Sequence, residues 1–307
     1  MKKLCTLLFL AMVVTCTAYA QRNNNGAWRS SRHNVTVGAG FNVFMGDLGG
    51  GNGEGGHFMS FRDIDPNYLK AALMGQYRYR LGDRLSARFS LLYTNVGADD
   101  AEAGREVRRL RNLNFKSVII EGALGLEYNF LREKEIPRYS NSVNFWKKWS
   151  GYFTVNFGMF HFNPKGRYEG EWYELQPLCT EGQGSGVEYK VGSGRSSYVV
   201  TANDPYKRMS VSVPIGIGFR YQLDRQMSIG FELLQHFTTT DYIDDCSTYY
   251  FNYESEGITP PSEMTTIFAD RRIGSHKTVT GQQRGNSGYN DTFFTAMITI
   301  QYKLNIK

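Results

Sequence analysis

The stretch MSVSVPIGIGFRYQL, from Met209 to Leu223, sorts its side chains onto two faces. Met209, Val211, Val213, Ile215, Ile217, Phe219, Tyr221 and Leu223 share one face. Ser210, Ser212, Pro214, Gly216, Gly218, Arg220 and Gln222 share the other. Successive side chains of a strand point to opposite sides, so this is a β-strand with one greasy face and one wet face. Pro214 is the discordant residue. It has no N–H to donate to a ladder, and the expectation is that a bulge absorbs it.

The same period-two alternation recurs along the chain. It runs through Val35–Met45, Leu69–Tyr79, Leu85–Tyr93, Val118–Phe130, Phe153–Met159, Met227–Phe237 and Phe294–Ile306. That makes eight strands, most of them reaching the roughly 9–11 residues that a tilted membrane strand needs. Leu81–Arg84 and Leu223–Gln226 are tight turns, and the link 132–150 lies at the same end. The opposite end carries long loops: Asp47–Tyr68, Gly97–Lys116, Pro164–Arg208 and Tyr242–Tyr289. Short turns at one end and long loops at the other are the habit of an outer-membrane barrel. Tyr79, Tyr128, Tyr221 and Tyr302 fall at one level near the short turns, where an aromatic girdle belongs. The expected fold is an all-β, eight-stranded antiparallel transmembrane β-barrel with long extracellular loops and short periplasmic turns. A secreted β-sandwich also alternates, but it explains neither the loop asymmetry nor the tyrosine level.

Composition agrees. The 307 residues include 20 Tyr and 20 Phe, too aromatic for a disordered chain. Beyond the N-terminus no apolar run reaches the ~18 residues of a membrane helix. Residues 1–20 read as a secretory signal peptide: Lys2 and Lys3, an apolar run from Leu4 to Val14, then Ala18-Tyr19-Ala20. Lipidation at Cys16 is the alternative, with Thr15 a poor residue before it. Loss of Lys2 and Lys3 lowers the formal charge from +6 to +4. The expected organisation is signal peptide 1–20, N-terminal periplasmic tail 21–32 and barrel 33–307. Cys179 and Cys246 then remain, an even pair in an oxidising compartment; the expectation is a disulfide tying the third and fourth long loops together, with two unpaired thiols as the alternative.

The polar faces forecast the lumen. Arg78, Arg80, Arg88, Glu121, Glu127, Arg220 and Glu232 point inward, and an eight-stranded barrel is just wide enough for its own side chains. Buried charges must pair, so these residues are expected to form an ion-pair core with no open channel, which disfavours a diffusion porin. No catalytic residue, cofactor or metal is assigned. The acidic pairs Asp99-Asp100 and Asp244-Asp245, with His236 and Asp241 nearby, have the residue types that activate water or bind Ca²⁺, but they lack a diagnostic spacing. Ordering of the loops by hydrogen bonds is the plainer reading.

Arg105, Arg108, Arg109, Arg111 and Lys116 make the second long loop basic, which suits outer-membrane lipid and lipopolysaccharide phosphates as partners or, equally, a solvated loop face; nucleic acid is not expected. In the link 132–150, Phe145, Trp146, Lys147, Lys148 and Trp149 combine rings and cations. They suit a partner-docking turn or an anchor at the lipid headgroups.

Several loop-end segments, in order, resemble a known family: Ala98-Asp99-Asp100; Arg111 to Ser117 (RNLNFKS); Phe162-Asn163-Pro164 through Trp172 to Leu178 (WYELQPL); Thr180 to Gly184 (TEGQG); and Thr240 to Asp245 (TDYIDD). Together they resemble the PorG-like outer-membrane barrels linked to the type IX secretion system. The resemblance spans roughly Val35 to Ile306. It implies a non-enzymatic barrel that links a periplasmic ring of the PorK lipoprotein and PorN to the outer membrane. Cys179 and Cys246 depart from the expected motif residues, and the family has paralogues with other roles. The motifs also map to the long-loop end, whereas the ring is periplasmic, so the link 132–150 and the N-terminal tail are the alternative docking surface. A surface-binding or adhesion barrel, and an outer-membrane hydrolase using the acidic loop ends, are the rival functions.

Overall fold

The computed structural model describes residues 28, 31–48, 69–103, 106–133, 148–192, 197–274 and 278–304. The expected signal peptide, most of the expected tail and most of the link 132–150 lie outside them. Eight strands close into one antiparallel barrel: β1 (His33–Met45), β2 (Lys70–Arg80), β3 (Leu85–Asp99), β4 (Asn114–Leu131), β5 (Trp149–His161), β10 (Met209–Gln222), β11 (Met227–Thr238) and β12 (Thr292–Leu304). Each pairs with the next, and β12 pairs with β1 in a register that sets Val35 against Tyr302 and Phe41 against Ala296. Closure leaves no free edge in the wall, which a sheet in lipid requires.

The two tight turns form as expected. Leu81 and Gly82 donate to the carbonyl of Leu85, and Leu223 and Asp224 donate to that of Met227. Asp224 Oδ1 fixes the second turn by accepting from the amides of Gln226 and Met227, both at 2.7 Å. Pro214 is accommodated differently from the expectation. Pairing of β10 with β5 lapses over Val213 and Pro214 and resumes at Ile215 in the same register. The Pro214 carbonyl takes its bond from Asn156 Nδ2, at 3.1 Å. The irregularity in the wall lies instead in β4, between Asn129 and Leu131.

The outer face carries a continuous apolar band. Val37, Leu73, Leu91, Leu124, Phe157 and Ile298 are all more than half exposed. Such a surface does not persist in water; it is at rest only in lipid, so the barrel spans a membrane. No described helix is long and apolar enough to cross one; the strands do so. At the short-turn end Tyr79, Tyr128, Tyr221 and Tyr302 line one level. Trp149 packs against Tyr221 at 5.2 Å between centroids, and Lys148 stands 5.9 Å over the same ring.

The long loops build a cap. After β5 come the hairpin β6 (Pro164–Tyr168) and β7 (Glu171–Glu174), then a two-stranded sheet of β8 (Glu188–Val191) and β9 (Tyr198–Thr201). Among the described residues the cap also holds two short α-helices, α1 (Glu106–Arg111) and α2 (Glu263–Ala269). Ser262 caps α2, accepting from the amide of Met264, while Thr265 reaches back to the amide of Ser262. The main apolar core lies in the barrel mouth beneath this cap. Phe44, Val96, Phe115, Ile119, Phe160, Phe293 and Met297 from the walls meet Leu48, Leu113, Phe162, Leu175, Ile243 and Phe268 from the loops.

Candidate functional site

The lumen has two zones. Toward the short turns it holds the charges the alternation placed there. Arg78 donates to Glu127 and to Glu133, both at 2.8 Å. Arg220 grips the same Glu127 through two bonds of 2.7 and 2.6 Å, and lies 3.7 Å over the Tyr152 ring. Arg88 pairs with Glu232 and Lys303 with Glu133. His236 pairs with Glu121 higher in the bore, level with Phe160 and Phe293. Arg80 donates to Ser31 Oγ at 2.9 Å, fastening the tail residue beneath the barrel floor. These groups are buried, and the bidentate arginines satisfy both carboxylate oxygens. Glu133 was absent from the expected set, although it serves both Arg78 and Lys303. It lies beyond the alternating run of β4, where the sequence reads as link.

Toward the long loops the inward faces are greasy. Met74, Leu92, Ile119, Phe160, Phe293 and Met297 fill the bore. This half of the lumen departs from the expected polar interior. Its side chains contact the loop residues of the cap, so its physics is that of a soluble core.

Over that plug the family-like segments converge. Asp100 accepts two bonds from Arg111, at 2.6 and 3.0 Å, and one from the amide of Leu113. Arg111 also reaches the carbonyls of Asp47 and Arg284, at 2.7 and 3.0 Å. Glu181 accepts from the amides of Ser247 and Thr248, from the Thr248 hydroxyl and from Arg284 Nη1. Asp245 accepts from the hydroxyls of Thr180, at 2.6 Å, and Tyr206, at 2.7 Å. Asp244 accepts from the amides of Leu48 and Cys246, and Asp291 from that of Ile243. Gly182 sits at φ +75°, where a Cβ would fall 2.5 Å from the Phe251 ring. Residues separated by a hundred positions and more thus form one buried knot.

The electrostatics of the knot follow from burial and like charge. Burial, with Asp244 beside it, pushes the Asp241 carboxyl up to about 9. Burial and Asp47 drive Asp244 well above the carboxylate range, and burial with Asp244 and Asp241 does the same to Asp291. Oδ2 of Asp241 and Oδ1 of Asp291 are buried and accept no hydrogen bond among the described residues. Burial raises Asp245 only to about 6, because Arg284, Thr180 and Tyr206 oppose it. Among the described residues no group of three or more His, Cys, Asp and Glu is placed to hold a metal ion. Asp244 and Asp245 are closed off from solvent and committed to amides and hydroxyls, so the geometry gives them no route to a substrate.

The expected disulfide does not form: Cys179 and Cys246 are free thiols. Cys246 is buried in the knot and donates toward the Arg284 carbonyl at 3.3 Å. Cys179 ends a short 3-10 turn at φ +50° and faces the Gln176 carbonyl at 3.9 Å. The two thiols point into separate surroundings, and burial raises both above the usual thiol value. Of the expected docking turn, Phe145, Trp146 and Lys147 lie outside the described residues. Lys148 and Trp149 stand in the tyrosine girdle, the place of a headgroup anchor.

Comparison with known proteins adds little beyond this. Residues 8–145, just under half the chain, match a family described only as a domain of unknown function, DUF6089. No curated protein matches the sequence. Among solved structures the chain is similar to Ail, the attachment invasion locus protein of Yersinia pestis (10% identity, covering 89% of this chain and 98% of that one, TM-score 0.36). Neisserial surface protein A (9%, 89% and 97%, 0.36) and OprG of Pseudomonas aeruginosa (10%, 89% and 97%, 0.32) are similar to the same degree. Likenesses this distant carry no function across. The barrel stands on its own strand pairing.

Proposed function

We propose that this chain is a non-enzymatic outer-membrane barrel of the type IX protein secretion machinery, joining a periplasmic ring of PorK and PorN to the membrane. The observation that carries the reading is the convergence of the family-like segments. The RNLNFKS, TEGQG and TDYIDD elements, scattered along the sequence, supply Arg111, Glu181 and Asp245 to one knot that seals the barrel mouth. A bore filled by ion pairs below and apolar side chains above suits an anchor and not a conduit. The signal-peptide-like N-terminus, and short turns at one end of the barrel against long loops at the other, support the reading. In a deletion strain, type IX cargo should stay inside the cell. From detergent-solubilised outer membranes the tagged barrel should retain both ring proteins, and their absence from the eluate would overturn the assignment.

A second reading, a surface-binding barrel, is favoured by the cap itself. Its loops fold around a second, buried apolar core of Tyr189, Val191, Phe251 and Tyr253, which makes them a rigid platform. Normal secretion by the deletion strain, with loss of attachment to a surface, would select it.

A further inference from the structure

The lipid-facing row of β4 runs upward through Tyr128, Leu126, Leu124, Ile120 and Val118, all exposed and apolar, and its next member is Lys116. Above Ile120 the neighbour of β4 changes. β5 ends at His161, and β6 takes its place, setting Lys165 directly beside Lys116. Arg167 follows two residues on, on the same face, opposite Trp172 of β7. The other face of this hairpin is occupied. Gly166 lies so close to Phe268 of α2 that a Cβ would fall 2.5 Å from its ring, and Tyr173 packs on Phe268 with centroids 5.8 Å apart. Lys116, Lys165, Arg167 and Trp172 are therefore held on the outer wall, one step above the apolar band.

Three cations here crowd one another. The Lys116 ammonium stands 3.8 Å over the Trp172 ring. Burial, and then Lys165 and Arg167, hold its pKa below the ordinary lysine value. The nearby acid is Glu174, which accepts from Lys165 at 3.3 Å but also from Arg208 at 2.9 Å and from Asn163. Glu171, at the hairpin tip, is bonded to Tyr173 on the opposite face. Arg271 donates to the Arg167 carbonyl beside the patch, with Asp99 as its own acidic neighbour. The positive charge exceeds the negative, at the height where a membrane carries its headgroups. Tryptophan is at home at that height, and clustered Lys and Arg bind phosphate oxygens.

We propose that Lys116, Lys165 and Arg167, with Trp172 behind them, form a binding site on the outer wall for the phosphates of an anionic glycolipid in the surrounding outer leaflet. The site rests on the outer-membrane part of the function proposed above and is independent of secretion. It fixes the depth and rotation of the barrel in the bilayer and ties the β6–β7 hairpin to the membrane surface.

The test uses the full mature chain refolded in detergent and titrated with diphosphorylated lipid A, with the same lipid after removal of its phosphates, and with inorganic phosphate. The wild type should bind the phosphorylated lipid selectively. The exposed triple variant Lys116→Gln, Lys165→Gln, Arg167→Gln should bind it about tenfold more weakly, each cation contributing the modest share of an exposed ion pair. Lys165→Arg should keep the affinity. Equal binding by the triple variant, or by the wild type to the dephosphorylated lipid, overturns the proposal. Inorganic phosphate binding as tightly as the lipid makes the patch a site for free anions and overturns it equally. Insertion into zwitterionic vesicles, scored by heat-modifiable migration, is the separate check on the membrane reading and should not differ between variants.

Discussion

Arg88 of β3 and Glu232 of β11 face each other across the full width of the barrel through two parallel hydrogen bonds, Nη1 to Oε2 at 2.8 Å and Nη2 to Oε1 at 2.9 Å. Three strands separate them around the wall in either direction. A pair of this kind braces opposite walls, and Tyr152 steadies it by donating to Glu232 Oε2. Removing one partner strands the other in the bore, which costs roughly 3–5 kcal/mol. Glu232→Gln or Arg88→Met should therefore lower the temperature at which the folded form is lost on heat-modifiability gels. Replacing both with apolar residues of similar volume should restore most of the loss, because the desolvation of two charges disappears with the pair.

The carboxyls of the cap predict a pH dependence with a definite sign. Asp241 has its folded pKa raised to about 9, with Asp244 and Asp291 also raised. Asp47 and Glu181 add negative charge to Asp241, whereas Arg111 opposes the shift of Asp244. Against an unfolded value of about 4, the folded cap binds protons more tightly. Its stability is therefore fully present below about pH 4 and declines as pH rises toward about 9, by up to ~1.4 kcal/mol per unit for each group titrating. Hydrogen-exchange protection, taken relative to the intrinsic base-catalysed rate at each pH, should fall between pH 5 and pH 9 at the amides of Ile243 and Leu48, which donate to Asp291 and Asp244. Asp241→Asn should flatten that dependence. Protection that grew with pH would contradict the sign.

Free cysteines give the plainest check. Denatured, unreduced mature protein should titrate two thiols. In the folded protein Cys246, buried in the knot, should stay unreactive toward a maleimide, while the half-buried Cys179 reacts slowly. An even cysteine count in an exported chain invites a bridge. Whether the two sulfurs meet is decided by the path of the loops, which no count contains. Cys246 went to the Arg284 carbonyl and Cys179 to a left-handed turn.

The same contrast runs through the rest of the molecule. Period-two alternation located all eight barrel strands and the inward charges Arg78, Arg88, Arg220, Glu121, Glu127 and Glu232, because one face meets lipid and the other does not. It did not find Glu133, which follows the irregularity between Asn129 and Leu131, nor the greasy upper bore. Met74 and Leu92 sit at wet-face positions of their strands and turn inward because the cap, not water, covers them. The knot was visible only as separate segments. Asp47, Asp100, Arg111, Glu181, Asp245 and Arg284 lie too far apart for any local pattern to join them.

The link 132–150 carries the docking prediction of the secretion reading. Its charged end is tied inward, with Glu133 ion-paired to Arg78 and Lys303, and Trp149 at its far end is held in the girdle. Residues 134–147 can therefore be exchanged for a short Gly/Asn turn without touching either anchor. The exchanged barrel should fold and insert normally yet retain less PorK and PorN on purification. Undiminished retention would exclude this link as the dock and leave the tail before Ser31.

Glu181 is the residue on which the cap should prove most sensitive. Its two oxygens accept from two amides, one hydroxyl and the Arg284 guanidinium, and Arg284 in turn donates to the Asp245 carbonyl. Glu181→Ala leaves Arg284 buried with only the 3.8 Å contact to the Asp245 carboxylate and orphans two amides, each costing about 1–3 kcal/mol. Most of the barrel wall lies below this knot, braced by its own ion pairs. The expected outcome is thus a split. The variant should keep its heat-modifiable barrel and its resistance to urea, while limited proteolysis cuts within 239–291 at protease levels that leave the wild type intact. Loss of the barrel together with the cap would show that wall and cap fold as a single unit.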